Sequence, residues 1–287
     1  MSLPSPYKNS IEMVNAVDTV YTLPATFHKL SEAINSPTSS MDEIAEILGN
    51  DQSMCMRILE LANSSFYGFP AKIETISHAL TLIGAQQIRD LVLGTTVIEM
   101  FEGIPSELVN MNSFWKHSIA CGLSAKIIAS LRREPNIERF FVLGLLHDMG
   151  RMVMFQKIPE IMTELIQQAP VREIPLYKLE LETLQFTHED VGADLMKQWK
   201  FPNRLSETIR SHHQITAFSK FPLESSVIHF ADICAHTFGF DGSGENFIPP
   251  INPFAWSQLA LETSSLKEIE KELDRQLQEV MKIMMNK

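Results

Sequence analysis

Residues 141–151, FVLGLLHDMGR, constrain this chain more than any other stretch: an apolar run delivers His147 and Asp148, with a glycine two residues on. A chain that buries the run buries this pair with it, and a buried unpaired carboxylate either costs several kcal/mol or neutralises itself. A metal ion is one partner that answers the problem. Further ligand-type residues stand at separate points: His117 in FWKHS, His188 in THEDVGADL, the His212–His213 doublet in SHHQ, and Asp232 in HFADICAH. Enough chain for one or two helices separates each from the next. That is how a helical bundle builds a metal site in its core, with ligands from several facing helices.

The remaining sequence fits such a bundle. Its 287 residues suffice for one large or two ordinary domains. With 45% hydrophobic and 21% charged residues it has the apolar material of a soluble globular core. No apolar run reaches the roughly 18 residues that span a bilayer, and the N-terminus lacks a basic start followed by an apolar stretch. Cys55, Cys121 and Cys234 are scattered without CxxC spacing, which predicts reduced thiols rather than a disulfide framework. Together these features predict a cytoplasmic protein with no membrane partner. The net charge of −11 argues against broad nucleic-acid binding, although a local basic cleft is compatible with it.

Periodicity predicts an all-α chain. Leu23, Phe27, Leu30 and Ile34 recur at helical spacing, with Pro24 suited to a first helical turn. Ser40 with Glu43 reads as a capping box, and Asp51 as the cap of the next helix. Asn63 and Ser64 are predicted to fix a turn through backbone bonds. Residues 73–101 read as two helices broken near Gly84. GIPSELVN at 103–110 is the predicted seam between an N-terminal helical part (1–105) and an imidazole-rich bundle (106–287). Residues 141–155 read as one central buried helix, followed by a shorter helix broken at Pro170–Pro175. Helices are then predicted over 177–186, 189–199, 203–213 and 223–238. The stretch 239–254 is the longest irregular segment, a lid or rim for the site or a plain surface excursion. Ser265 with Glu268 is predicted to cap a last amphipathic helix.

Mixed imidazole and carboxylate ligation suits Fe, Mn, Zn or Ni rather than Mg or Ca. Seven candidate ligands are enough for one or two ions, with Asp148 as the bridging carboxylate. Two ions about 3.5–4 Å apart could activate a water and polarise a phosphoryl oxygen. Adjacent residues on a helix point about 100° apart, so at least one of His212 and His213 is expected to face the site, and whether both do is left open. His229 and His236 flank Asp232 at helical spacing and read as surface or packing residues; His28 and His78 read as ordinary.

The ligand order His, His-Asp, His, His-His, Asp resembles the HD superfamily of metal-dependent phosphohydrolases, and within it the HD-GYP branch. By that resemblance His117, His147, Asp148, His188, His212, His213 and Asp232 match metal-ligand positions. Two departures stand out. The HDxGK pattern appears here as HDMGR, so Arg151 replaces a phosphate-contacting lysine by a guanidinium of different geometry. The residues after the paired histidines, HHQITAFSKFP, lack the Gly-Tyr-Pro stretch of cyclic di-GMP phosphodiesterases. From about Leu23 to His236 the chain is similar to the HDOD family of bacterial signalling proteins. LPATFHKL, GNDQSMCMRILELANSSFYG, KIETISHALTLIGAQQIRDLVL, FWKHSIA, GLLHDMGRMVM, HEDVGADLMKQW and FPNRLSETIRSHH carry this resemblance in order. It implies a regulatory module without hydrolase activity, while this sequence keeps most of the metal set; the expectation is a catalytically degenerate module with a metal site, acting through a signalling protein partner or a nucleotide-like anion. The alternative is an active phosphohydrolase or phosphodiesterase on a nucleotide or cyclic nucleotide, with Asp148 and Arg151 as the candidate catalytic residues.

Overall fold

The structure, a computed structural model, describes residues 5–17, 23–101, 108–245 and 248–285. Among the described residues there is no strand, and the chain is all-α as its periodicity predicts. The first six helices are α1 (Ser10–Asn15), α2 (Ala25–Asn35), α3 (Met41–Gly49), α4 (Gln52–Asn63), α5 (Ile76–Ile83) and α6 (Ala85–Met100). Their starts follow local chemistry. Ser40 accepts from the Glu43 amide, Asp51 from Met54 and Thr75 from His78, each satisfying a donor that a helix start leaves open. After α4, the Asn63 side chain donates to the Ile73 carbonyl and accepts from its amide, both at 2.8 Å. Ser64 closes the same turn on Leu61.

Most of the predicted seam, residues 102–107, lies outside the described residues. After it come α7 (Met111–Leu131), α8 (Ile137–Leu146), α9 (Met149–Lys157), α10 (Pro159–Arg172), α11 (Leu176–Leu184) and α12 (His188–Gln198). The chain continues through α13 (Asn203–Arg210), α14 (Pro222–Thr237), α15 (Pro253–Leu259) and α16 (Ser265–Met284). Helix α7 is buried along nearly its whole length and packs on α8, α14 and α16. A Cβ on Gly144 of α8 would lie 2.7 Å from the Gly122 Cα of α7, so the two backbones touch there. Phe66, in the turn after α4, packs edge-on to Phe141 of α8 at 4.9 Å between ring centres. Full burial of a side chain such as Phe141 contributes about 1.5–3 kcal/mol.

Four local expectations need correction. Residues 141–155 are not one helix: α8 stops at Leu146 and α9 starts at Met149, with Asp148 at φ −97° and ψ 8° between them. Helix α13 ends at Arg210, so His212 and His213 lie beyond it rather than on it. Helix α10 runs through Pro170 and ends at Arg172, where Glu173 turns left-handed at φ 53°. Helix α16 has Ser264 rather than Ser265 at its cap position, without a side-chain bond.

Candidate metal centre

All seven residues singled out in the sequence converge. His117 comes from α7, His147 and Asp148 from the α8–α9 break, and His188 opens α12. His212 and His213 follow α13, and Asp232 lies on α14, joined by His236 one turn later. None of the eight exposes more than 7% of its surface. Asp148, His188, His212 and His213 form one group whose ligand atoms lie within 4.8 Å of one another. His117, Asp232 and His236 form another, and His117, His147 and Asp148 a third that links them. Asp148 stands between: one carboxylate oxygen is 3.2 Å from His188 Nε2, the other 3.4 Å from His147 Nε2. Asp232 Oδ1 is 3.2 Å from His117 Nε2, 3.4 Å from His236 Nε2 and 3.7 Å from His147 Nε2.

Five of the six imidazoles are held by Nδ1 with Nε2 turned inward, and His213 is the exception. Nδ1 of His117 pairs with the Phe240 carbonyl at 2.7 Å, that of His147 with Gly144 at 2.7 Å, and that of His212 with Ile209 at 2.8 Å. His188 Nδ1 pairs with Glu180 at 2.7 Å and His236 Nδ1 with Asp241 at 2.9 Å. Nε2 of His117, His147, His188 and His212, both ring nitrogens of His213, and one oxygen each of Asp148 and Asp232 are buried without a hydrogen bond. Buried polar atoms are ordinarily satisfied, and this many inward-facing orphans in one place need a common partner. A ligating histidine with its second nitrogen fixed by a carbonyl or carboxylate is the arrangement metals use. The donor set fits a transition-metal cation.

Electrostatics agrees. Burial would raise Asp148, but Arg151 and His147 hold it well below the usual carboxylate range. Burial likewise works against Asp232, and His236, His117 and His147 outweigh it. Burial lowers His147, yet Asp148 carries it well above an ordinary histidine; Glu180 similarly overcomes burial to leave His188 at about 9. Burial and neighbouring imidazoles push His212 and His213 well below the ordinary value, which keeps them neutral. In the metal-free chain, protons on His147 and His188 thus stand where a cation's charge would balance the carboxylates.

Arg151 is not an open anion receptor. It is 1% exposed, donates to Asp148 at 3.1 Å and to the Ser243 hydroxyl at 2.8 Å, and lies 3.8 Å from Glu180. Ser243 belongs to the irregular stretch after α14, which therefore forms a rim. Phe240 and Asp241 hold His117 and His236, Ser243 holds Arg151, and Glu245 accepts from the Leu176 amide at 2.8 Å. Gly150 explains the tight approach of α9 to α12. A Cβ there would lie 2.0 Å from the His188 carbonyl oxygen and 2.7 Å from the Gly192 amide nitrogen.

Sequence reasoning missed three participants. His236 sits four residues after Asp232, a spacing that puts both on one helix face, and this signal was legible though read as packing. Glu180 and Glu189 support His188 and His213 from behind, Glu189 accepting from the His213 amide at 2.9 Å. Buried carboxylates with no periodic signature gave no comparable signal. His229 takes the packing role expected of it, accepting from the Asn252 amide at 3.0 Å.

Fold and centre together define an all-helical bundle with a buried imidazole–carboxylate cluster of the HD type. The HDOD domain model matches residues 20–215, and the chain belongs to the HDOD family. An uncharacterised protein of Treponema pallidum (strain Nichols) is 23% identical over 209 residues, covering 72% of this chain but 40% of its own length. The chain thus spans less than half of that relative. Among solved structures, a candidate phosphohydrolase from Shewanella amazonensis SB2B is similar with a TM-score of 0.75 at 21% identity, covering 96% of this chain and 97% of its own. An HDOD domain protein of unknown function from Geobacter sulfurreducens has a TM-score of 0.72 at 23% identity, covering 92% and 96%. Among the described residues no helix is long and apolar enough to cross a membrane.

Proposed function

We propose that this chain is a regulatory signal-transduction module of the bacterial cytoplasm whose core holds one or two divalent transition-metal ions (Fe, Mn, Zn or Ni) without turning over a substrate. His117, His147, Asp148, His188, His212, His213, Asp232 and His236 would hold the ions. The observation that carries this reading is closure: the ligand atoms are buried, and the segment from Phe240 to Glu245 ties down two of the histidines and Arg151. Structural metal sites are closed, whereas catalytic ones keep a position open to substrate. The free, buried thiols Cys121 and Cys234 fit a reducing compartment. Output would pass to a signalling protein partner or respond to a nucleotide-like anion.

A second reading is a phosphohydrolase acting on a nucleotide or cyclic nucleotide. It is favoured by the position of Asp148 between two ligand groups with Arg151 beside it. Ions bound there would supply Lewis acidity and an activated water. For this reading the segment over Arg151 has to move aside. The deciding experiment is elemental analysis of protein purified without chelator or nickel resin, with assays against a generic phosphodiester and a panel of cyclic nucleotides. Stoichiometric metal without turnover is expected. Metal-dependent turnover that disappears in His147→Ala would overturn the regulatory reading in favour of the second, and absence of metal would overturn both.

A further inference from the structure

A second cavity lies away from the metal centre. Its walls are the starts of three helices, none capped by a side chain: α6 (Gln86, Gln87, Arg89, Asp90), α8 (Asn136, Arg139) and α13 (Pro202, Arg204, Leu205). Its volume is about 170 Å³. Three guanidinium groups line it in a chain whose net charge is −11. Two carboxylates answer them. Asp90 accepts from Arg89 at 2.8 and 3.1 Å, and Glu224 accepts from Arg204 at 2.6 Å and Arg139 at 3.5 Å through the same oxygen. The three arginines thus exceed these two carboxylates by one, a third carboxylate near Arg139, Glu134, being paired with Arg132, and Arg139 Nε is buried without a hydrogen bond. Burial, then the neighbouring Arg204, push Arg139 below the usual arginine range, a cost that an anion between them would relieve. The helix starts add their partial positive charge in the same direction.

This cavity is not isolated. It shares Arg89 and Pro202 with a larger groove of about 770 Å³ between α2 and the α12–α13 connection. Phe27, Trp199 and Phe201 line that groove beside Asn35, Ser31 and Gln198. Drug-sized ligands occupy cavities of about 300–1,000 Å³ with apolar walls and a few polar groups. Guanidinium forks match phosphate oxygens, and aromatic walls with amides beside them match a base. A phospholipid would need a wider apolar entry, and the chain's net charge opposes an anionic membrane.

We propose that this double cavity binds a nucleotide, its phosphates between Arg89, Arg139 and Arg204 and its nucleoside in the groove beside Phe27, Trp199 and Phe201. The proposal is independent of whether the buried centre holds metal. The test is calorimetric titration of the full chain with ADP, GDP, UDP and inorganic pyrophosphate, on wild type, Arg204→Gln, Arg139→Gln and Asn35→Ala, each checked for native helix content by circular dichroism. At least one nucleotide is expected to bind in the micromolar range, with pyrophosphate weaker by about tenfold or more. Arg204→Gln, which removes a half-exposed side chain, is expected to weaken binding about tenfold, as loss of a charge-assisted bond does. Asn35→Ala is expected to weaken the nucleotide and leave pyrophosphate unchanged. The proposal fails if no nucleotide binds below about 1 mM, if pyrophosphate binds as tightly as the nucleotides, or if the arginine variants leave affinity unchanged. A phosphoserine peptide that binds through Arg204 where nucleotides do not would also overturn it.

Discussion

Helices α8, α13 and α14 begin in one chemical environment and end in its opposite. Their first turns carry Arg139, Arg204 and Glu224 around the arginine cavity. Towards or just past their ends stand His147 with Asp148, His212 with His213, and Asp232 with His236. The backbone adds to both ends. Helix starts carry partial positive charge, which works against the arginines placed there and reinforces their pull on an anion, whereas the ends of these three helices carry partial negative charge and suit a cation. The two regions differ equally in access, since the arginine cavity opens to a groove while the imidazole cluster is closed over. One set of helices thus joins a buried imidazole–carboxylate cluster to an accessible arginine cavity, and the two can be perturbed separately.

Five experiments sharpen or break that contrast, the sealed end being expected to respond far more strongly. Asp148→Ala leaves the buried Arg151 without its main carboxylate partner, and breaking such a pair costs about 3–5 kcal/mol. Urea denaturation at neutral pH checks this, and an unchanged midpoint would mean that the centre is not the tightly coupled unit described. Gly150→Ala forces a Cβ into the His188 and Gly192 backbones, so destabilisation of about 3 kcal/mol or failure to fold is expected. Expression in soluble form with wild-type stability would contradict the close approach of α9 to α12. Removing metal from loaded protein with a chelator is expected to cost about 3 kcal/mol, visible as a lowered Tm, because an ion that binds only the folded state stabilises it by mass action.

Smaller effects are expected further from the core. Asp241→Asn loosens only the outer tie on His236; its carboxylate is 69% exposed, so stability should fall by less than about 1 kcal/mol. Partial loss of metal on dialysis, without unfolding, is the reading to look for. Arg204→Gln removes an ion pair whose arginine is 48% exposed, and thermal stability should stay within about 0.5 kcal/mol of wild type. A large loss there would show that the open end is as structural as the sealed one.

The sequence made the cluster legible because most of its members interrupt an apolar helical pattern where a polar residue needs a reason. The all-α architecture, the break at Gly84 and the caps at Ser40 and Asp51 were legible from spacing and local hydrogen-bonding chemistry. What periodicity hid was where helices stop. The run 141–155 is apolar throughout its first half, and nothing in it announces that the chain leaves helical geometry at Asp148 to aim its carboxylate between two groups. Nor does the stretch before His212 announce that α13 stops at Arg210, the step that lets both histidines of the doublet turn inward. The arginine cavity was invisible for another reason. Arg89, Arg139 and Arg204 are far apart in sequence, each near the start of a different helix, so only the packing of three helix starts brings them together.

The closure over the imidazole cluster bears on time as well as on affinity. Phe240, Asp241, Ser243 and Glu245 fasten one short irregular segment to α7, α14, α9 and the start of α11. An ion held beneath it leaves no faster than that segment detaches, however weak the bonds to the ion itself. Exchange of such an ion would therefore be governed by a local opening rate. Once loaded, the protein would keep the metal it met while folding, and its content would record past supply rather than present concentration.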